Sequence, residues 1–136
     1  LFPASAVDFI ESERSELSRR RVYNEWGWGG YLAWRLGPEF PVFMDGRYVF
    51  HPLLAEASAA GSSGAAWRAF LDRWGVEWAL VADRPLPPAH YDRYFHPRLW
   101  ALAYRDGTAR VYVRRGAFPE PWVATREALM RLSIRP

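Results

Sequence analysis

Five polar residues with the chemistry to hold a ligand lie close together in the chain. They are Asn24, Glu25, Asp45, Arg47 and His51. An arginine binds an anionic or hydroxylated ligand through several N–H donors, and a neighbouring carboxylate accepts hydrogen bonds from the same ligand. The group therefore indicates a site for a sugar or an anion. A second interpretation stays open, in which Asp45 caps the turn that follows it, pairs with Arg47 and has only a structural role.

Two predicted strands position these residues. The first covers residues 21–26 and the second residues 42–44, and the connection between them contains a glycine turn and a short helix. That connection has about the minimum length for a parallel crossover. We therefore expect a compact βαβ unit with the five residues at one edge of the sheet. Ligands in such sheets bind at the carboxyl ends of the strands, which is where this edge lies.

The remaining pattern predicts further helices and strands. Helices are expected at 5–21, at 52–74 with a break near Gly61, and at 89–95. A strand is expected at 76–82, and a hairpin over 99–115 turns at Asp106-Gly107, a strong hairpin signal. The predicted fold class is therefore α/β. It has a mixed four- to five-stranded sheet, a compact N-terminal βαβ unit, a C-terminal β-hairpin and helices packed on the sheet.

The domain prediction follows from this order of elements. Residues 1–115 form a single α/β domain, and residues 116–136 form a linker and a C-terminal amphipathic helix that packs on it. The chain does not begin with Met, which suggests a fragment of a longer protein.

Composition excludes several classes of function. The chain has 136 residues, of which 50% are hydrophobic and eight are tryptophan, so one well-packed domain is expected. Cysteine is absent, which excludes disulfides and thiolate metal sites. The net charge is only +3, with the arginines spread among 15 acids, so nucleic acid is not an expected partner. No apolar run approaches the roughly 20 residues of a membrane span.

Catalytic and cofactor motifs find little support. His51, His90 and His96 lack metal-ligand spacing, and no Gly-x-Ser-x-Gly motif is present. The run Gly27-Trp28-Gly29-Gly30 lacks the third glycine of dinucleotide-binding loops, which favours a tight turn and close helix packing. No metal, cofactor or catalytic residue is predicted, and whether the chain belongs to an enzyme stays open.

One resemblance extends over residues 3–115. The run Asn24-Glu25-Trp26-Gly27-Trp28-Gly29-Gly30-Tyr31-Leu32, followed by Val42-Phe43-Met44-Asp45-Gly46-Arg47, resembles a segment of certain bacterial polytopic membrane proteins. The segment belongs to their soluble C-terminal domain. Those proteins are similar to lipid-linked-sugar glycosyltransferases of the mannosyltransferase-like (GT-C) superfamily. Their acidic catalytic residue lies among the membrane helices, so no catalytic residue is transferred to this chain.

The resemblance implies a location and a set of partners. It implies a non-catalytic domain on the extracytoplasmic side of the bacterial cytoplasmic membrane, which supports assembly or engages an acceptor glycan. The implied partners are the membrane-embedded remainder of the same polypeptide and a glycan or lipid-linked sugar. The alternative is a self-contained sugar- or anion-binding module with its site at the ends of the first two strands.

Overall fold

A four-stranded mixed sheet forms the centre of the protein. The computed structural model describes residues 1–47 and 51–134, with side chains as far as residue 133. The strands are β1 (Val22–Asn24), β2 (Trp78–Ala82), β3 (Trp100–Arg105) and β4 (Ala109–Arg114). Their spatial order is β1-β2-β4-β3; β1 and β2 are parallel, and the other pairs are antiparallel. The predicted α/β class, the mixed sheet and the C-terminal hairpin are confirmed.

Helices cover both faces of the sheet. They are α1 (Ala4–Ser12), α2 (Arg14–Leu17), α3 (Gly29–Leu36), α4 (His51–Ala60), α5 (Gly64–Arg73), α6 (Pro88–Tyr94) and α7 (Glu120–Ile134). Buried side chains of α1, α3 and α7 share one hydrophobic cluster, and those of α4, α5 and α6 share another. In β2, Trp78 and Leu80 face the first cluster while Ala79 and Val81 face the second, as the alternation of the strand requires.

Capping and turn residues mark the ends of several helices and strands. Ser63 caps α5, because its hydroxyl accepts a hydrogen bond from the Ala66 amide at 3.0 Å. Gly75 follows α5 with a φ of +61°, a conformation that glycine adopts without strain. In the β3–β4 turn the Asp106 carboxylate accepts the amides of Thr108 and Ala109 at 2.8 and 2.9 Å.

The partner of β1 differs from the predicted one. Residues 42–44 form no strand, and β1 pairs instead with β2, where Asn24 lies opposite Leu80. The crossover between the two parallel strands therefore runs over residues 25–77 and contains α3, α4 and α5. The predicted short βαβ unit is wrong in this respect, because β2 supplies a longer and more buried strand than residues 42–44 do.

The side chain of Asn24 explains why residues 42–44 need no strand ladder. Its Oδ1 accepts the Phe43 amide at 2.7 Å, and its Nδ2 donates to the carbonyls of Met44 at 2.7 Å and Glu25 at 3.0 Å. The side chain is fully buried. A single amide group thus replaces the backbone of a neighbouring strand and satisfies polar groups that burial would otherwise leave unpaired.

Gly29 allows α3 to approach the same segment. A β-carbon there would collide with the Met44 carbonyl oxygen and would lie 2.6 Å from the Asp45 Cα. Gly27 and Gly30 have no such neighbour within 4 Å among the described residues. The predicted close packing of the glycine turn therefore depends on one glycine of the three.

The C-terminal helix packs mainly through its first half. Val123 is fully buried in the first cluster, and Glu127 accepts two hydrogen bonds from Arg115, at 2.8 and 2.7 Å. Farther along, Leu129 and Leu132 are exposed. Residues 135–136 of the predicted C-terminal segment lie outside the described residues.

Replacement of Gly29 by alanine is expected to destabilise the protein strongly. The new methyl group meets backbone atoms that cannot rotate away, so we expect a loss of about 3 kcal/mol or more in the free energy of unfolding. Gly30→Ala is the matched control in the same helix, and it should leave stability unchanged or raise it by up to about 1 kcal/mol. Urea unfolding measures both variants, and equal midpoints would contradict the packing described above.

Replacement of Asn24 by aspartate is expected to make stability depend on pH. A carboxylate cannot donate to the Met44 and Glu25 carbonyls, and burial raises the pKa of the new side chain above the unfolded value of about 3.9. The protonated form can still donate, so the deficit relative to wild type should be smallest below about pH 4 and grow as pH rises. Near neutrality we expect a deficit of about 3 kcal/mol. Parallel denaturant titrations from pH 4 to 7 test this, and a constant gap would refute it.

Candidate functional site: a cleft at the ends of the parallel strands

A cleft of about 290 Å³ opens at the carboxyl ends of β1 and β2. Its walls come from α4 and α6, and its floor from Tyr23 of β1, the last residues of β2, and Trp67 of α5. The volume lies at the lower end of the roughly 300–1,000 Å³ found for ligand pockets. The location is the one where open α/β sheets hold ligands. The cleft is therefore the candidate functional site.

Two oppositely charged side chains, Glu25 and Arg84, lie among the lining residues. Glu25 follows β1, and its Oε1 accepts the Ala82 amide at 2.8 Å, which fixes the carboxylate against the end of β2. Its Oε2 lies 3.7 Å from Nη2 of Arg84, a loose ion pair. The Arg84 side chain is 65% exposed. Such a pair contributes little stability, so its charges remain available to a ligand.

Tyr91 holds the backbone of Arg84 in place. Its hydroxyl accepts the Arg84 amide at 2.6 Å and donates to the Arg84 carbonyl at 3.1 Å. The guanidinium of Arg110 stacks on the Tyr91 ring, with Cζ 3.5 Å from the centroid. Tyr91 thus lines one wall of the cleft and also fixes the backbone of Arg84. Arg110 in turn holds the Tyr91 ring.

A buried ion-pair network supports that stack. Arg110 Nε donates to Asp83 Oδ1 at 2.8 Å, and Arg105 Nε donates to Asp83 Oδ2 at 2.8 Å. Arg110 also donates to the Tyr112 hydroxyl at 3.1 Å. Burial alone would raise the pKa of Asp83, but the two guanidinium groups outweigh it and hold that pKa below its usual value. Asp83 is therefore a carboxylate at neutral pH.

Tyr23 and Trp67 form part of the floor of the cleft. The indole nitrogen of Trp67 has no hydrogen-bond partner among the described residues, but it is enclosed by protein atoms and is not exposed to the cleft. Burial, aided by the nearby Glu25 carboxylate, raises the pKa of Tyr23, while Arg84 opposes the shift, so the phenol stays protonated. The Tyr23 hydroxyl can therefore donate a hydrogen bond to a ligand.

The five residues predicted from the sequence occupy different places. Glu25 lines the cleft, whereas Asn24 is enclosed in the packing between β1 and residues 43–44. Asp45, Arg47 and His51 are not among the described residues that line the cleft. His51 is the first residue of α4, and its ring centroid lies 6.1 Å from that of Trp26.

Asp45 and Arg47 form a local ion pair after α3. The Asp45 carboxylate is nearly buried and accepts the Arg47 amide at 2.9 Å and Nε at 2.9 and 3.0 Å. The hydrogen bonds from Arg47 hold the pKa of Asp45 below its usual value, although burial opposes them. This geometry is the turn-capping arrangement that the sequence left open beside the ligand-binding one. The Arg47 side chain is 69% exposed.

Sequence reasoning did not select most of the cleft residues. Arg84 follows β2 at the same edge of the sheet as Glu25, but the signal for it depends on knowing that β1 and β2 are neighbours. Trp67 belongs to an apolar stripe at helical spacing, which predicts core packing. The structure shows it in the second cluster and at the cleft as well.

The described part of the chain offers neither a metal site nor a membrane-spanning helix. Among residues 1–47 and 51–134, no group of three or more His, Asp or Glu side chains is placed to hold a metal ion. No helix in this part of the chain is long and apolar enough to cross a bilayer.

Comparison of the chain with protein-family models, curated proteins and solved structures finds no match. The cleft must therefore be interpreted from its own geometry.

Replacement of Arg110 by methionine is expected to weaken the support of the cleft. Loss of one partner from a buried ion pair costs about 3–5 kcal/mol, and Arg105 remains beside Asp83, so we expect about 3 kcal/mol. Arg105→Met is the matched control, because Arg105 is more exposed and should cost about 1 kcal/mol. Thermal and urea unfolding measure the two variants. Equal losses in the free energy of unfolding would contradict a specific contribution from the stacking of Arg110 on Tyr91.

Proposed function

We propose that this chain is a non-catalytic sugar-binding domain on the extracytoplasmic side of a bacterial membrane protein similar to lipid-linked-sugar glycosyltransferases. In that protein it engages an acceptor glycan. The cleft at the carboxyl ends of β1 and β2 is the observation that carries the proposal. The partner of the domain is the membrane-embedded remainder of the same polypeptide.

The lining of the cleft suits a sugar. Tyr91 and Tyr94 give one wall aromatic surface, on which the C–H face of a sugar ring packs. Glu25 accepts hydrogen bonds from hydroxyl groups, and the Tyr23 hydroxyl offers a donor inside. A hydroxyl both donates and accepts, so a sugar can satisfy this mixed set of groups.

The same lining argues against catalysis on sugars. Most glycoside-cleaving enzymes use a pair of carboxyl groups on either side of the scissile bond. Glu25 is the sole carboxylate among the described lining residues, and one of its oxygens is already bound to the Ala82 amide. Binding without bond cleavage is the function that this arrangement supports.

The membrane attachment is supported by the resemblance of the segment from Asn24 to Arg47. Its characteristic residues have structural work in this fold: Asn24 fixes residues 43–44, Gly29 permits the approach of α3, and Asp45 closes the next turn. The resemblance therefore lies in residues that shape the fold, so it supports the proposed membrane attachment and not a particular ligand. A full-length gene product with many apolar spans of about 20 residues is expected; one without them would remove this part of the proposal.

A self-contained sugar- or anion-binding module is the second candidate. The observation in its favour is that a concave cleft lies at the ends of two neighbouring parallel strands. This candidate needs the same cleft but no membrane partner, and the full-length sequence distinguishes the two.

A tryptophan at position 58 is expected to abolish glycan binding. Ser58 is exposed on α4 and lines the cleft, so Ser58→Trp fills the space without disturbing the core. Ala59→Trp is the matched control, since Ala59 is exposed on the same helix and is not a lining residue. A glycan array followed by calorimetry should show binding to wild type and to Ala59→Trp, and at least about tenfold weaker binding to Ser58→Trp. Equal binding to all three proteins, or to none, would reject the proposed site.

A further inference from the structure

We infer that the cleft selects a single sugar residue that carries an anionic group, a carboxylate or a phosphate, and that Arg84 selects the charge. This inference rests on the proposed sugar-binding function and names the class of ligand. The size of the cleft, the exposure of the Arg84 guanidinium and the position of Glu25 each restrict the ligand.

The size of the cleft limits the enclosed part of the ligand to one sugar ring. A volume of about 290 Å³ accommodates a monosaccharide unit with a small substituent but not an enclosed oligosaccharide. The rest of a longer glycan would have to extend from the opening into solvent. Recognition therefore depends on the groups that one residue of the glycan carries.

Arg84 is prepared to bind an anion. Its backbone is fixed on both sides by the Tyr91 hydroxyl, and its guanidinium is mostly exposed. The ion pair of that guanidinium with Glu25, at 3.7 Å between Nη2 and Oε2, is too long for a hydrogen bond. Most of its N–H donors are thus available in the fork geometry that matches a carboxylate or a phosphate.

Glu25 sets the orientation of such a ligand. Its carboxylate cannot swing away, because the Ala82 amide holds it at 2.8 Å, and it repels an anion placed next to it. The anionic group should therefore bind on the solvent side of Arg84, with the ring turned inward. Inside, the ring hydroxyls meet Glu25 and the Tyr23 hydroxyl.

Calorimetry with four small probes tests the inference. The probes are glucuronate, glucose 6-phosphate, glucose and inorganic phosphate, each titrated into wild type, Arg84→Ala and Arg68→Ala. Arg68 is exposed on α5 and does not line the cleft, so it controls for loss of a positive charge. We expect glucuronate or glucose 6-phosphate to bind about tenfold or more tighter than glucose to wild type and to Arg68→Ala. Arg84→Ala should lose that preference and keep the weak binding of glucose.

The outcomes separate this inference from the proposed function. Equal affinity for glucose and both acidic sugars overturns the charge selection and leaves sugar binding intact. Inorganic phosphate that binds as tightly as glucose 6-phosphate overturns the sugar class, because the site would then recognise the anion alone. Absence of binding for all sugars, here and on the glycan array, overturns the proposed function together with the inference. A preference shared by glucuronate and glucose 6-phosphate supports the common anionic chemistry, and a preference for one identifies the group.

Discussion

The parallel pairing of β1 with β2 is the constraint on which the rest of the structure depends. It places the ends of the two strands side by side and so creates the edge at which the cleft opens. β1 has only three residues, which is short for a strand that must hold a long crossover. The pairing therefore needs support from outside the ladder.

Side chains provide that support at both ends of β1. At its start, Glu77 accepts the Arg21 amide at 3.2 Å and the Arg20 guanidinium at 2.9 Å. At its end, Glu25 accepts the Ala82 amide and continues the ladder by one bond. The Asn24 side chain binds residues 43–44 and so ties that segment to the end of β1.

Much of this fold follows from local pattern. The hairpin at Asp106-Gly107, the break between α4 and α5, and the cap at Gly75 are each determined by residues close in sequence. The partner of β1 is not, because it depends on a comparison between two distant segments. Residues 42–44 are apolar and close to β1 in sequence, but residues 43–44 bind the Asn24 side chain instead of forming a strand. β1 pairs with β2, which is the better partner because five of its residues also pair with β4.

The same nonlocal choice decides how much of the site could be predicted. Glu25 was accessible to sequence reasoning because it ends the first strand, and it does line the cleft. Arg84 follows β2, the actual partner of β1, and could be selected only after β2 replaced residues 42–44 in the pairing. Trp67 and Tyr91 could not be separated from core residues by spacing, because each packs in the second cluster as well as lining the cleft.

The motif and the cleft consequently have different physical roles. The residues that give the segment from Asn24 to Asp45 its recognisable pattern are those that backbone packing requires, namely a buried amide, a glycine without room for a β-carbon, and a carboxylate that closes a turn. The cleft uses a charged group that packing leaves accessible, the guanidinium of Arg84. Substitution of Arg84 should therefore alter the choice of ligand without altering the fold, whereas substitution of Gly29 should alter the fold first. A chain can therefore keep the packing residues of this segment and change what the cleft binds, because Glu25 is the one residue of the segment that also lines the cleft.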